Sequence, residues 1–258
     1  MLLHLSDLHF GTEKSECIQA IQQFCAEQKP EAVVVSGDLT QRARYGQFFA
    51  CKQFLEGLNI PYLVVPGNHD IPLYQVWTRF FNAFGGYQLF FGQLENVLQT
   101  EHFYIVGINT IRRRHHTQGS ISMQQIQQVD AALRQAPAHK LKLVVAHQPF
   151  YAAPNDRHGL KDCPVLARTA LDVWSQSGLN ALLHGHLHQT AVFDLNQVYQ
   201  LNAPHPILEI HAGTAMSYRL HRQLPNSFNL IGINGDVVPY RFAAQQGQFI
   251  VAQAGPSA

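Results

Sequence analysis

Charge is scarce in this chain. Asp, Glu, Lys and Arg make up 14% of its 258 residues, against a usual share of about 25%. Net charge is +1 with histidine neutral. No broad basic face for a nucleic-acid backbone is therefore expected, and no stable nucleic-acid complex. Cysteine is scarce too. Cys17, Cys25, Cys51 and Cys163 form no CxxC pair and no cluster. That argues against a thiolate zinc site or a disulfide scaffold and for free thiols in a reducing compartment. Long apolar runs are missing: stretches such as 33–35 and 143–146 are far too short to span a bilayer. Residues 1–10 show neither a basic n-region nor an apolar h-region, so a cytoplasmic protein is expected.

What is present is an apolar fraction of 46%, enough for a sizeable core, and 15 histidines, nearly as many as the 18 Lys and Arg or the 17 Asp and Glu. A chain poor in charge and rich in imidazole hints at metal.

Short apolar runs alternate with helical patterns. Residues 2–5, 32–35, 62–65, 103–108, 141–146 and 181–183 read as buried strands. Helices are expected after a Ser15 cap (Ile18, Ile21, Phe24), over Tyr45 to Leu58, after a Ser122–Gln125 capping box, and over Ala167 to Trp174 with Gly178 as the stop. This order predicts an α/β fold with parallel strands between helices. The last third reads as consecutive strands at 191–195, 198–201, 207–211, 228–233 and 237–242, an antiparallel meander forming a second sheet. No repeat or linker appears, so residues 1–253 are expected to form one domain and 254–258 a loose tail.

The chemistry sits where these strands end. The first is followed by Ser6-Asp7-Leu8-His9, the second by Ser36-Gly37-Asp38, the third by Pro66-Gly67-Asn68-His69-Asp70. Later strands lead into His147-Gln148-Pro149 and His184-Gly185-His186-Leu187-His188. In open α/β sheets the C-terminal edge is where sites assemble. Asp7, His9, Asp38, Asn68, His147, His186 and His188 would thus reach one place. Carboxylate and imidazole without thiolate suit Mn, Fe, Co or Zn. Seven ligands are too many for one tetrahedral centre, and two ions sharing a carboxylate fit the count.

This set of five ordered blocks, spanning residues 7–188, resembles the signature of the calcineurin-like metallophosphoesterases. The opening Leu3-His4-Leu5-Ser6-Asp7-Leu8-His9-Phe10-Gly11, the stretch Gly119-x-Ile121-Ser122-x-x-Gln125 and the later Ala212-Gly213-Thr214-Ala215 and Pro225-Asn226-Ser227-Phe228-Asn229 resemble the branch with class III cyclic nucleotide phosphodiesterases, in particular its bacterial members. The resemblance implies a four-layer αββα sandwich of two mixed sheets. It implies two divalent or mixed-valence ions. Asp7, His9, Asp38 and His188 would hold the first, and Asp38, Asn68, His147 and His186 the second. It implies attack on a small phosphodiester by a metal-bridging hydroxide, with His69 stabilising the transition state or protonating the leaving oxygen. Branch members often carry His-His-Pro where this chain has His147-Gln148-Pro149, and a strand-end Asp where it has Asn109-Thr110.

Arg42, Gln148, Arg219 and Arg222 are the candidate substrate contacts, the arginines having a plain surface reading beside that one. Asp70 reads as a helix N-cap, and His184 as a support for the metal ligands. The run Arg112-Arg113-Arg114-His115-His116 reads as a solvated loop, with contact to an anionic substrate or a membrane headgroup as the alternative. The aromatic stretch Phe80, Phe81, Phe84, Tyr87, Phe90 and Phe91 reads as core, with a nucleobase or acyl-chain site as the alternative. Three further readings stay open. One is a pyrophosphatase acting on UDP-2,3-diacylglucosamine, with peripheral membrane contact. The second is a nuclease, and the third a non-catalytic interaction module.

Overall fold

The computed structural model describes residues 1–73, 76–115 and 117–252. The tail 254–258 and His116 of the arginine run lie outside the described residues. Among the described residues, twelve strands are arranged in two six-stranded sheets. The first runs β12 (Gln248–Val251), β11 (Val237–Ala243), β10 (Ser227–Ile231), β1 (Leu2–Leu5), β2 (Ala32–Val35) and β3 (Tyr62–Val64). The second runs β4 (Asn96–Gln99), β5 (Phe103–Gly107), β6 (Leu141–Val145), β7 (Ala181–His184), β9 (Leu208–His211) and β8 (Ala191–Asp194). β1, β2 and β3 are parallel, as are β5, β6, β7 and β9; the remaining pairings are antiparallel, so both sheets are mixed.

Strand periodicity builds the layers. Successive side chains alternate between faces. Leu2, Ala32, Val34, Leu183 and Ile210 meet between the sheets, together with Leu63, Phe103, Ile105 and Val145. The intervening Leu3, Leu5, Val33 and Val35 turn outward onto α1 (Ser15–Gln28) and α2 (Tyr45–Gly57). Val144 and Leu182 turn outward onto α5 (Met123–Gln135) and α7 (Ala167–Trp174). The result is the αββα sandwich. Trp174 Nε1 donates to the Ile126 carbonyl at 3.0 Å and pins α7 on α5. The Ser122–Gln125 capping box forms as the sequence predicts. Ser15 instead is the first helical residue of α1, and Lys14 occupies the cap without a side-chain bond.

The last third departs from the expected second sheet. β8 and β9 extend the sheet of β7, whereas β10 to β12 join the sheet of β1. The expected strand at 198–201 is absent, and α8 (Leu195–Tyr199) begins before it. The cause is local: Asp194 Oδ1 accepts from the Asn196 N–H at 2.9 Å and the Gln197 N–H at 3.4 Å, capping a helical turn. Among the described residues no helix is long and apolar enough to cross a membrane.

Candidate metal centre

The loops leaving β1, β2, β3, β6 and β7 converge, and all seven expected ligands lie together. Close packing of backbone brings them there. The Asp7 N–H donates to the Gly37 carbonyl at 3.1 Å and the His9 N–H to the Asp38 carbonyl at 2.9 Å. Gly37 has φ +96°, and a Cβ on it would sit 2.4 Å from His147 Nδ1, so only glycine fits there. Asp7, His9, Asp38, His186 and His188 are themselves left-handed, with φ between +47° and +66°. Each costs about 1 kcal/mol or more.

The side chains form two groups that share Asp38. In one, Asp7 Oδ1 lies 3.1 Å from His188 Nε2, and His9 Nε2 lies 3.3 Å from His188 Nε2 and 3.7 Å from Asp38 Oδ2. In the other, Asn68 Oδ1 lies 3.1 Å from both His147 Nε2 and His186 Nδ1, and Asp38 Oδ1 lies 3.4 Å from His147 Nε2. The two oxygens of Asp38 thus face opposite groups.

Outer partners fix the tautomers. His147 Nδ1 faces the Ser36 carbonyl at 2.8 Å and His188 Nδ1 the Arg219 carbonyl at 2.8 Å. A carbonyl only accepts, so each Nδ1 carries the proton and each Nε2 presents a lone pair inward. His186 is reversed: Nε2 donates to Asp162 Oδ2 at 2.8 Å, leaving Nδ1 for the centre. His147 Nε2, His186 Nδ1 and Asn68 Oδ1 therefore turn lone pairs on one another across 3.1–3.3 Å, and Asp7 Oδ1 is buried without a hydrogen-bond partner. That is repulsive unless a cation lies among them. Edges of ~3.0–3.4 Å are those of a shell with bonds of about 2.1 Å. The residues fit metal.

Electrostatics agree. Burial alone would raise Asp7, but the imidazoles of His188, His147 and His9 hold it well below the usual carboxylate range. Burial also opposes ionisation of Asp38, and His147, His69 and His9 still bring it down to about 2. Burial lowers His9 to about 3 and lowers His147 as well, leaving both imidazoles neutral near pH 7 and able to ligate, whereas burial would lower His188 but Asp7 and Asp38 raise it.

Calcineurin-like phosphoesterase is the family model that matches, over residues 1–190. The chain belongs to that family. As a calcineurin-like phosphoesterase it is a metal-dependent phosphoric ester hydrolase. A protein named as a probable cyclic nucleotide phosphodiesterase from Vesicomyosocius okutanii is 23% identical over 234 residues, which are 87% of this chain and 94% of the relative. The fold is shared with purple acid phosphatase PPD1 of yellow lupin, at TM-score 0.67 and 11% identity over 97% of this chain and 52% of that one. It is also shared with a dimetal phosphatase from Danio rerio, at TM-score 0.60 and 10% identity over 93% and 91%.

The phosphoesterase's other sequence candidates fall in different places. His69 stands at the rim, its ring edge-on to His9 with centroids 4.9 Å apart. Its Nδ1 lies 3.0 Å from the Gln41 carbonyl, and Arg219 Nη1 lies 3.2 Å from its Nε2. Both line an open cleft of about 470 Å³ above Asp38, Asn68, His186 and His188. Arg42 lines a smaller recess beside His69, and Arg222 a neighbouring cavity beside His186. Gln148 is buried, and its amide is taken at both ends, by Thr110 Oγ1 and by the Thr117 carbonyl at 3.0 Å. It braces loops, and Thr110 is its partner in doing so.

Asp70 is not the expected N-cap but the N3 member of a capping box. It ends a 3-10 turn, Asn68–Asp70, and its carboxylate accepts the N–H groups of Gly67, Leu39 and Thr40 at 2.8–3.0 Å, tying the second and third ligand loops together. His184 turns toward Glu209 rather than toward a ligand. Arg112 is spent on the Asn109 and Ile111 carbonyls and Gln125, and Arg113 stacks on Phe80 at 4.8 Å. The aromatic stretch divides. Tyr87 is buried and donates to the Val64 carbonyl at 2.9 Å, whereas Phe80 and Phe81, on α3 (Val76–Phe81), are exposed with Trp77. Asp162 was missed by sequence reasoning; it closes α6 (Arg157–Asp162), where no strand end points to it.

Proposed function

We propose that the chain is a dinuclear phosphodiesterase acting on a small phosphodiester, with cyclic nucleotides the leading class. One observation carries the dinuclear reading: the two oxygens of Asp38 face two separate sets of donors. Asp7, His9 and His188 would complete one ion's protein shell, and Asn68, His147 and His186 the other's. Ions of the Mn, Fe, Co or Zn type bound there supply charge neutralisation at phosphoryl oxygens and acidification of a water. Arg219, which lines the cleft, would hold a non-bridging phosphoryl oxygen. His69, whose Nδ1–H is held by the Gln41 carbonyl, would give a proton to the leaving oxygen from Nε2 only as an imidazolium that has let go of Arg219. An open cleft with Arg219 beside it favours a nucleotide over a lipid, and the name carried by the bacterial relative supports the same choice.

The test is hydrolysis of bis-p-nitrophenyl phosphate and of 3′,5′-cyclic AMP with added Mn²⁺. Turnover of both is expected. Folded, metal-loaded protein inert toward every phosphodiester would sink the reading. Asp38→Ala should lose both ions, and Asn68→Ala mainly the second, as read by metal analysis after dialysis.

A second reading keeps the site and changes the substrate to the pyrophosphate of UDP-2,3-diacylglucosamine. The observation in its favour is α3, where Trp77 and Phe81 are 78% and 73% exposed and Arg79 lines the same recess as His69. Release of UMP from that lipid in detergent, faster than cyclic nucleotide cleavage, would replace the first reading with this one.

A further inference from the structure

A second knot of imidazole and carboxylate lies outside the machinery just described. His184 and His211 are register partners on the parallel strands β7 and β9. Glu209 precedes His211 by two residues and shares its face of β9, opposite Ile210, which faces the other sheet. All three side chains are buried, with exposures of 0–1%. One ligand atom from each lies within 4.8 Å of the others, in a group separate from Asp7, His9, Asp38 and His188.

Their hydrogen bonding is incomplete in a specific way. His184 Nδ1 lies 3.0 Å from the Gly185 carbonyl, which can only accept, so Nδ1 carries the ring proton. Nε2 is left with a lone pair, 2.9 Å from Glu209 Oε1 and without a hydrogen bond. Glu209 Oε1 already accepts the N–H groups of Phe150 and Tyr151, at 2.8 and 3.0 Å, while its Oε2 has no partner. His211 has no partner at either ring nitrogen, and its Nε2 lies 3.8 Å from Glu209 Oε1. Buried polar atoms are almost always paired. Here four unpaired ones, three nitrogens and an oxygen, sit on three adjacent side chains.

We propose that His184, Glu209 and His211 hold a structural divalent ion, zinc by its ligand chemistry, distinct from the dinuclear pair. Two imidazoles and a carboxylate are a zinc set. The separations of 2.9 and 3.8 Å bracket the ~3.3 Å edge of a tetrahedral zinc shell. The surrounding contacts are those of a ligand shell. His184 anchors its far nitrogen on a carbonyl, and Glu209 is held by two backbone N–H groups. The ion would clamp β7 to β9 and both to the Phe150–Tyr151 segment.

Zinc itself is the probe. The full chain is loaded with Zn²⁺, dialysed, and its metal counted by mass spectrometry. His211→Leu should bind one zinc equivalent fewer than the wild-type chain, with a lower Tm. Glu209→Gln, which keeps an oxygen for the Phe150 and Tyr151 bonds, should lose the same equivalent and decides the matter where His211→Leu does not fold. Asp38→Ala should retain this one equivalent after losing the other two, so the fates of the two sites are separable. Folded variants at His211 or Glu209 with wild-type zinc content, or a folded Asp38→Ala chain holding none, would overturn the proposal.

Discussion

His69 differs from its neighbours in what its ring touches. The imidazoles of His147, His186 and His188 turn a lone pair inward, whereas His69 is held by the Gln41 carbonyl and meets Arg219 at the rim. His69→Ala should therefore keep both ions and lose about 10²–10⁴ in kcat on a substrate with a poor leaving group. Equal turnover on such a substrate would remove it from the reaction. Asp162 acts one residue further out. By holding His186 Nε2–H it fixes which nitrogen faces the ion, so Asp162→Ala should weaken the second ion about 10–100-fold and spare the first. Asp162→Asn keeps an acceptor and should lose less; competition titration with a chelator reads both. The residues legible in the sequence were those at strand ends, where a parallel sheet gathers whatever follows it. Asp162, Gln148 and Asp70 were missed or misread because their roles depend on contacts across 24 to 38 residues of chain that no spacing records.

Elements carry the site by touching at their ends. Gly185, at the end of β7, passes so close to β1's loop that a Cβ would fall 1.7 Å from Ser6 Oγ and 2.4 Å from Asp7 Oδ2. Gly185→Ala should separate the sheets locally and abolish metal binding while leaving the circular dichroism of the helices largely intact. At the start of β2, Glu31 reaches the hairpin of β4 and β5, accepting from Thr100 Oγ1 at 2.9 Å and pairing with His102 Nδ1 at 2.8 Å. Burial works to raise its carboxyl, and the bonds from Thr100 and His102 outweigh it, holding the group below its ordinary 4.5. A carboxyl depressed on folding stabilises the fold above its unfolded value, and the benefit disappears as pH falls through the folded one. Glu31→Gln should thus lower Tm near neutral pH, with the gap to wild type closing below pH 4.5. A gap independent of pH would deny the carboxylate charge any part. Element type was legible for strands of β-branched and leucine runs. β4 and β12 escaped because they are short edge strands with exposed alternate residues, and α8 because one aspartate decided its backbone.

At the scale of the whole molecule, the two sheets share one apolar interlayer, and both contribute residues to the candidate metal centre. Leu183→Ala opens that interlayer at a fully buried position and should cost about 2–5 kcal/mol. Calorimetry should still show one transition; two would mean that the sheets unfold independently. The α/β class followed from the alternation of elements, and the αββα layering from the resemblance that the motifs carry. The allocation of strands to sheets did not, since β10 finds β1 across more than two hundred residues, with Leu3 opposite Leu230. That pairing also has a timetable. On a ribosome, β1 through β3 emerge early with one edge of β1 bare, and the strand that covers it is completed only at Ile231. At ~5–20 residues per second, the wait after β3 is roughly 8–30 s. During that interval the first ligand loop leans on an unfinished sheet, and a nascent chain of this protein would depend on whatever else shields a bare strand edge.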